Sequence, residues 1–380
     1  MTGAGSAIDR ARPAAALPEA RRKLGFGPIV IELRSDDAAA AEWLAEFLGP
    51  WFGPAAGDAD WHATLSTARA AFRALVERRP RDAALRPCFA LDQQVISLPA
   101  WPERGGVAVA DLERSCCLVV EPGRVALHGD PDTRRWRFTL QWVFHELSAT
   151  RLRRTALDLH AAAVATGGRA IAIVGPKGAG KTTLSFHLLR SGRCRWIAND
   201  RAFAEPSARG IELRGMPTPV KILAPTLERF PELGRGLRPF DRPYLDALAE
   251  VLAEDSTSVI APPRELALSP AQVAHQLHVD RLAAAPLAAI VFPEIRSDVD
   301  AFAIEPLDPK QVASRLWANL YGKPSGRSEP TVFEDLAGGL HPPRRRLADE
   351  AARSAPGYRV VLGRNARSEL ATRLLDLVER

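Results

Sequence analysis

The stretch LHAAAVATGGRAIAIVGPKGAGKTTLSFHLLRSGRCRWIANDRAF, residues 159–203, combines a glycine-rich loop, a Lys-Thr pair, an upstream histidine and a downstream acid. Its segment GPKGAGKT, residues 175–182, fits the phosphate-loop pattern GxxxxGK[ST] at every fixed position. The apolar segment RAIAIV before the loop predicts a strand, and TTLSFHLLRSG after it predicts a helix closed by Gly192. A strand, this loop and a helix in that order indicate an α/β core.

The loop pattern predicts that the chain binds a nucleoside triphosphate. Glycines let successive backbone N–H groups converge on phosphates, and the helix N-terminus adds a partial positive charge. Lys181 is expected to contact the β- and γ-phosphates, and the Thr182 hydroxyl to bind magnesium. ATP and Mg²⁺ are therefore the expected cofactors. The candidate nucleotide-binding residues are Gly175, Pro176, Lys177, Gly178, Ala179, Gly180, Lys181, Thr182 and Thr183, with a solvated side chain as the alternative for Lys177.

An acid follows on the next predicted strand, CRWIAND, residues 194–200. A strand–helix–strand of this length predicts a right-handed crossover with the two strands parallel. Loop and acid then lie at the carboxyl ends of these strands, where ligands bind in such sheets. Asp200 is expected to reach the γ-phosphate, as a magnesium ligand or as the base for an attacking hydroxyl. A surface aspartate is the alternative.

A histidine precedes the loop. The segment ALDLHAAAVATGGRAIAIV, residues 156–174, predicts two strands joined by a tight turn at TGG. This hairpin places His160 on a strand paired with the one that leads into the loop. A satisfied core histidine and a catalytic histidine are both compatible with that position.

These residues together resemble the catalytic domain of HPr kinase/phosphorylase and, more closely, its HPr kinase-related relatives. In that family a strand with LHA or HG precedes a short turn, a strand, the phosphate loop and an acidic pair. The resemblance covers residues 157–222 and extends loosely over LAAIVFPEI and GYRVVLGRN. It implies a histidine near the active site and an acid pair that supplies a base and metal ligands. The candidate catalytic residues are thus His160, Lys181 and Asp200, and the candidate metal ligands are Thr182, Asn199 and Asp200.

Three features depart from the family pattern. The acid pair is Asn199-Asp200 here, so a single carboxylate is present, and the amide oxygen of Asn199 can bind magnesium but cannot take a proton. No copy of the glycine-arginine signature associated with phosphorolysis is found. The N-terminal part does not match that enzyme's own N-terminal domain. HPr is therefore not the favoured substrate.

The length of 380 residues suits two domains, or one domain with sizeable additions. We expect a disordered tail over residues 1–25 and a smaller α+β accessory or substrate domain over 26–150. Residues 151–380 are expected to form an HPr kinase-like phosphate-loop domain with a mixed sheet and a helical insertion at about 224–282. Further predicted elements are a strand at 27–35 and the helix after it, a hairpin at 116–129, an amphipathic helix at 135–155, a strand at 209–215, a largely helical stretch at 228–279, a buried strand at 287–295, a capped helix at 308–322 and a closing strand and helix from 357 onward.

Composition bounds the location and the partners. Hydrophobic residues make up 46% and charged residues 25%, typical of a soluble globular protein, and a net charge of +6 is weak evidence for nucleic acid. The sequence has no apolar run long enough for a membrane helix and no secretory signal. Its four cysteines lack metal-ligand spacing, which favours buried free thiols in a reducing cytosol. We expect a cytoplasmic protein without nucleic-acid or membrane partners. A homo-oligomer is compatible, although no segment indicates an interface.

The leading hypothesis is an ATP-dependent kinase that phosphorylates a hydroxyl group of a peptide, a small molecule or a protein serine. One alternative is a nucleotide-gated regulatory or scaffold protein with little or no catalysis. Another is an HPr-type protein serine kinase/phosphorylase. Weaker candidates are Arg214 and Lys221 for stabilising developing charge, with Glu212 beside them and solvent-facing strand charges as the alternative. Glu294 is a candidate strand-end acid, and the arginines at 344–346 could bind an acidic partner or belong to a solvated linker.

Overall fold

The computed structural model describes residues 20–91, 94–234, 265–296, 298–321, 329–339, 345–363 and 368–379. These residues form two large mixed sheets, a two-stranded sheet and helices that pack on them, so the protein is α/β. None of the helices in the described ranges is long and apolar enough to cross a membrane.

The elements of the N-terminal part are β1 (Ala20–Phe26), β2 (Ile29–Ser35), α1 (Ala38–Leu48), β3 (Gly53–Pro54), β4 (Trp61–Ser66), α2 (Arg69–Arg78), β5 (Ala84–Leu91), β6 (Gln94–Glu103), β7 (Gly106–Asp111), β8 (Cys116–Glu121), β9 (Arg124–Gly129) and α3 (Trp136–Leu152). The elements that follow are β10 (Leu157–Thr166), β11 (Arg169–Val174), α4 (Lys181–Arg190), β12 (Arg195–Ala198), β13 (Arg201–Ser207), β14 (Gly210–Met216), β15 (Val220–Leu223), α5 (Ala224–Arg229), a 3-10 turn (Pro231–Gly234), β16 (Glu265–Leu268), α6 (Pro270–Gln276), β17 (Ala284–Ile295), β18 (Ala303–Leu307), α7 (Pro309–Ala318), α8 (Val332–Leu336), α9 (Arg345–Ser354), β19 (Gly357–Leu362) and α10 (Ser368–Glu379).

The N-terminal sheet has nine strands in the order β3-β1-β2-β4-β9-β8-β7-β6-β5. The predicted hairpin of β8 and β9 is confirmed. The prediction of a disordered tail up to residue 25 is wrong for residues 20–25, because β1 pairs with β2 along its whole length. Leu24 and Phe26 are buried, and Arg21 forms an ion pair with the buried Glu32. Arg21 and Arg22 are therefore exposed residues of a paired strand, and residues 1–19 lie outside the described ranges.

Helix α3 joins the two large sheets. It was predicted as amphipathic, but fifteen of its seventeen residues are buried. Its apolar residues share one core with the nine-stranded sheet and with Phe203 and Met216 from the second sheet. Polar residues on its other side are also enclosed; Glu146, for example, accepts a hydrogen bond from the backbone N–H of Ala90. The sequence pattern could not show that segments distant in the chain enclose the polar side.

The second large sheet carries the segment quoted first. The predicted β10–β11 hairpin is confirmed, with Ala161 opposite Val174 and Thr166 opposite Arg169. On its other edge β10 pairs with β12 and then with β13, antiparallel to both. Strands β11 and β12 are therefore parallel to each other, as predicted, but β10 lies between them. Strand β17 pairs with β14, with β11 and with β19, which itself pairs with β18.

Helices cover both faces of this sheet. Ile171 and Ile173 of β11 pack with residues of α4 and α10, whereas Ala170 and Ala172, which point the other way, pack with residues of α7 and α9. The end of β11 is thus fixed between two packed layers. This arrangement gives the loop that follows it a rigid base.

The region predicted as a helical insertion contains α5, the 3-10 turn and α6, but also a strand. Strand β16 pairs antiparallel with β15, with Val220 opposite Leu268, so the prediction of a largely helical segment at 228–279 is wrong for residues 265–268. Residues 235–264 lie outside the described ranges. The four residues ELAL, 265–268, fit the periodicity of a helix and that of a strand, and the segment is too short to distinguish the two.

Candidate functional site

The glycine-rich loop connects the end of β11 at Val174 to the start of α4 at Lys181. Gly178 and Gly180 have φ angles of +83° and +101°, a region that residues with a side chain rarely adopt. A Cβ atom on Gly180 would also lie 2.8 Å from Cδ1 of Leu362 and 3.0 Å from Cγ1 of Ile295. The backbone conformation therefore favours glycine at this position, and a side chain there would displace Leu362 and Ile295. Pro176, Lys177 and Gly178 in the loop are exposed.

Lys181, the first residue of α4, folds back over the loop. It is 6% exposed, and its Nζ atom donates to the carbonyl oxygens of Gly175 and Pro176, at 2.9 and 3.2 Å. The same atom lies 2.8 Å from Nε2 of His160 on the neighbouring strand. The lysine of the loop and the histidine predicted upstream of it are therefore in direct contact.

Asp200 reaches His160 because a two-residue break separates β12 from β13, the two strands that pair with β10 on this edge. Ala163 faces Ala198 and His160 faces Arg201 in one continuous register, which leaves residues 199–200 opposite 161–162. These two residues form a bend rather than a strand, and the Asp200 carbonyl accepts a hydrogen bond from the N–H of Ala161 at 3.1 Å. Oδ1 of Asp200 lies 3.0 Å from Nε2 of His160.

The environment of Asp200 favours its ionised form. Burial alone would raise its pKa, but the hydrogen bond to His160 and the positive charges of Lys181 and Lys221 hold the pKa of Asp200 below its usual value. Its side chain is 34% exposed, against 4% for His160. The carboxylate is therefore a charged group at the surface end of a buried Lys–His pair.

Nε2 of His160 cannot form hydrogen bonds with Lys181 and Asp200 in the same protonation state. The ammonium group of Lys181 can only donate, so it requires a lone pair on Nε2. A carboxylate can only accept, so the bond to Asp200 requires a proton on the same atom. One nitrogen cannot satisfy both neighbours at once. The proton on His160 is therefore sensitive to where Lys181 points.

The two other predicted metal ligands lie next to these residues in the chain. Asn199 is 7% exposed, and its Oδ1 atom has no hydrogen-bond partner within the part of the chain that the structure describes. A buried acceptor without a partner costs about 1–3 kcal/mol, so an oxygen of this kind fits a cation or a donor that binds there. Thr182 and Thr183 lie on the first turn of α4, half-buried and buried respectively.

A buried ion-pair network, which the sequence did not predict, holds the residue that follows Asp200. Arg201, adjacent to Asp200, is fully buried and makes two hydrogen bonds of 2.9 and 2.7 Å to Asp158 of β10. Asp158 also accepts from Arg153, which in turn reaches Glu334 of α8 at 3.0 Å. The network ties β13 to β10 on the side where His160 projects. Arg201 and Glu334 are distant from Arg153 and Asp158 in the chain, so no local sequence pattern indicates the network.

The weaker candidates form ion pairs of their own. Arg214 pairs with Glu205 and Glu212, both at 2.6 Å, and Glu294 pairs with Arg359 at 2.8 Å. Lys221 lowers the pKa of Asp200, as noted, and residues 345–346 begin α9, whereas residue 344 lies outside the described ranges.

The four cysteines are buried free thiols, as predicted. Burial raises the pKa of Cys88, Cys117 and Cys194 to about 12, and that of Cys116 well above its usual value. These thiols are therefore protonated, and hence poor nucleophiles, at neutral pH.

Comparison with models of known protein families finds no match for this chain. A search of curated proteins finds no match either. The geometry of the Lys181–His160–Asp200 group is therefore the observation from which a function can be inferred.

Proposed function

We propose that the chain is an ATP-dependent kinase, with a phosphate-loop core of the HPr kinase-like type, which transfers the γ-phosphoryl group of Mg-ATP to a hydroxyl group. The observation that carries this proposal is the contact series Lys181–His160–Asp200, with separations of 2.8 and 3.0 Å. It joins the cation of the glycine-rich loop to a carboxylate through a single side chain. Phosphoryl transfer needs this combination of a phosphate-binding cation and an acid that orients the acceptor.

The loop would hold the phosphates. Backbone N–H groups among residues 177–183 and the N-terminus of the ten-residue helix α4 would provide donors and a positive dipole. Lys181 would exchange the carbonyl oxygens of Gly175 and Pro176 for oxygens of the β- and γ-phosphates. The exchange replaces hydrogen bonds to neutral groups with charge-assisted ones, which are about twice as strong.

Magnesium would be held by oxygen atoms of Thr182, Asn199 and Asp200 together with phosphate oxygens. The described residues contain no group of three or more His, Cys, Asp or Glu that could hold a metal ion by themselves. Mg²⁺ commonly binds through one or two carboxylates and substrate phosphates, so this donor set fits its preference. The Oδ1 atom of Asn199, unpartnered in the described structure, supports the assignment. When bound, the ion would neutralise negative charge on the phosphates.

Asp200 would act as the base. It is ionised at neutral pH, so its carboxylate would orient the acceptor hydroxyl and take its proton as the bond to phosphorus forms. In the transfer step a bond forms between the acceptor oxygen and the γ-phosphorus, the bond from that phosphorus to the β-phosphate bridging oxygen breaks, and the hydroxyl proton moves to Asp200. His160 would hold the carboxylate in place and contact the terminal phosphate region.

The experiment compares the wild type with Asp200→Asn, Lys181→Ala and the control Glu294→Gln. Each protein is incubated with γ-labelled Mg-ATP and a panel of serine peptides, HPr-like carrier protein and small hydroxyl compounds, and ATP affinity is measured separately. We expect Asp200→Asn to lose transfer by about 10²-fold or more while it still binds ATP, Lys181→Ala to lose ATP binding, and Glu294→Gln to retain both. An unchanged transfer rate in Asp200→Asn would refute the role of that residue.

A second candidate function is nucleotide-gated regulation without catalysis. The observation that favours it is Asn199, which replaces one of the two acids of the family pattern with an amide. It predicts a partner complex that depends on nucleotide, and no phosphate-sized mass gain on any acceptor. The HPr-type kinase/phosphorylase alternative predicts, in addition, pyrophosphate release from phosphorylated carrier and inorganic phosphate. Cytoplasmic location, homo-oligomer formation and the absence of nucleic-acid and membrane partners stay predictions.

A further inference from the structure

An exposed apolar side chain lies directly against the glycine-rich loop. Ile295, the last residue of β17, is 48% exposed, and its Cγ1 atom is in the space that a Cβ atom on Gly180 would need. Leu362, which is opposite Ile295 on the neighbouring strand β19, also lies against this space and is 2% exposed. An exposed isoleucine and a buried leucine therefore lie side by side next to Gly180, at the start of α4.

Three parallel strands bring this pair to the loop. Ile173 of β11 is opposite Val291 of β17, and Ile295 is opposite Leu362 of β19. Strand β17 therefore continues four residues beyond that pair and runs alongside the loop, which begins after Val174. Ligands of α/β sheets bind at the carboxyl ends of parallel strands, and this edge is such an end.

The position of the acid fixes the direction in which a nucleotide would lie. His160 and Asp200 are on the β10 side of β11, whereas Ile295 and Leu362 are on the opposite, β17 side. The proposed function places the terminal phosphate at Lys181 and Asp200. The nucleoside end of the same molecule must then leave the loop away from the acid, toward β17 and β19.

We infer that Ile295, supported by Leu362, is the nucleobase-binding surface of this protein. The inference rests on the proposed nucleotide-binding function. The flat ring of the base would cover the exposed half of Ile295 and remove apolar surface from water. The charged neighbour Arg296 is already engaged by Asp298, with two hydrogen bonds of 2.8 and 2.6 Å. Base binding would therefore depend on apolar contact, which discriminates weakly between rings of similar shape, so ATP and GTP should bind within about tenfold of each other.

The test separates the base from the phosphates. Calorimetry measures the affinity of the full chain for Mg-ATP, Mg-GTP and Mg-tripolyphosphate, which carries the phosphates without a nucleoside. In Ile295→Ser we expect the ATP and GTP affinities to fall about tenfold and the tripolyphosphate affinity to stay within about twofold. Ile295→Trp, which offers an aromatic face, should bind ATP more tightly without a change for tripolyphosphate. The control Leu112→Ser alters a side chain of similar exposure, 41%, in the N-terminal sheet region.

The outcomes are distinguishable. If the wild type binds ATP and tripolyphosphate, and Ile295→Ser and Ile295→Trp leave the ATP affinity unchanged, the nucleobase assignment is refuted while the proposed nucleotide-binding loop stands. An equal loss for ATP and tripolyphosphate in Ile295→Ser also refutes it, because the side chain would then shape the loop rather than hold the base. If neither ligand binds the wild type, the proposed function fails and the inference falls with it.

Discussion

Nζ of Lys181 and Nε2 of His160 are 2.8 Å apart, in a contact between the first turn of α4 and the strand β10. Because an ammonium group only donates, this contact requires a lone pair on Nε2. The neighbouring carboxylate of Asp200, 3.0 Å from the same nitrogen, requires a proton there. A ligand that draws Lys181 away from His160 therefore favours a hydrogen bond from Nε2 to Asp200 over the contact between Nε2 and Lys181.

The first prediction concerns this proton. When Mg-ATP binds and Lys181 turns to the phosphates, the ring of His160 should become protonated at Nε2 and donate to Asp200. The ¹⁵N chemical shift of the labelled ring at neutral pH should move from the range of an unprotonated nitrogen to that of a protonated one. The variant Lys181→Met, which lacks the competing donor, should show the protonated state without nucleotide. An Nε2 shift that is the same in the free wild type, the ATP complex and the variant would contradict this account.

The second prediction concerns the loop backbone. Gly178→Ala and Gly180→Ala both force a side chain into a positive φ, at a cost of about 1–2 kcal/mol each. Only at Gly180 does the new Cβ collide with neighbours, since nothing lies within 4 Å of the corresponding position on Gly178. We therefore expect Gly180→Ala to lower the free energy of unfolding more than Gly178→Ala, measured by urea denaturation without nucleotide. Equal losses would show that Leu362 and Ile295 do not crowd Gly180.

The elements that the sequence predicted correctly depend on local patterns. The loop between β11 and α4 and the β10–β11 hairpin follow from turn residues and apolar runs within residues 157–182. The strand predicted over residues 194–200 is wrong at its end, because β12 stops at Ala198 and residues 199–200 form a bend. The pairings that complete the site are different. That β10 lies between β11 and β12, and that Arg201 meets Asp158, depend on contacts between distant segments. A single sequence carries no signal for such contacts, and for the same reason the burial of α3 was missed.

The third prediction concerns the buried pair beside the acid. Asp158→Asn leaves the buried Arg201 without its charged partner, and breaking a buried pair costs about 3–5 kcal/mol. The control is Asp335→Asn, which removes an exposed pair with Arg86 and should cost less than about 1 kcal/mol. Unfolding in urea measures both. If Asp158→Asn costs no more than the control, the buried network does not stabilise the link between β10 and β13.

The fourth prediction concerns the enclosed polar side of α3. Gln141 is fully buried, and within the described residues neither polar atom of its amide has a hydrogen-bond partner. Gln141→Met keeps the length of the side chain and removes this penalty, so the free energy of unfolding should rise by about 1–3 kcal/mol. The control Gln272→Met should lower it, because the Gln272 side chain accepts a hydrogen bond from the N–H of Ser269 at 2.8 Å. A loss of stability in Gln141→Met would show that the amide is satisfied.

The histidine one turn further along α3 is held neutral. Burial and the positive charge of Arg201 lower the pKa of His145 from its ordinary 6.5 to about 3, against a hydrogen bond to the main chain of Pro217. Proline has no N–H, so the ring donates to the Pro217 carbonyl. The side chain is 2% exposed. The folded protein therefore takes up a proton at His145 far less readily than the unfolded chain.

This difference gives the fifth prediction its sign. Between pH 6.5 and about 3 the unfolded chain binds a proton at residue 145 that the folded protein does not, so stability is full above pH 6.5 and falls as the pH falls. One unit below 6.5 the loss from this residue is about 1 kcal/mol. Urea unfolding at pH 7.5 and pH 5.5 should therefore show a loss about 1 kcal/mol smaller in His145→Gln than in the wild type. Since the other titrating groups are common to both proteins, an identical loss would mean that His145 is protonated or solvated in the folded state.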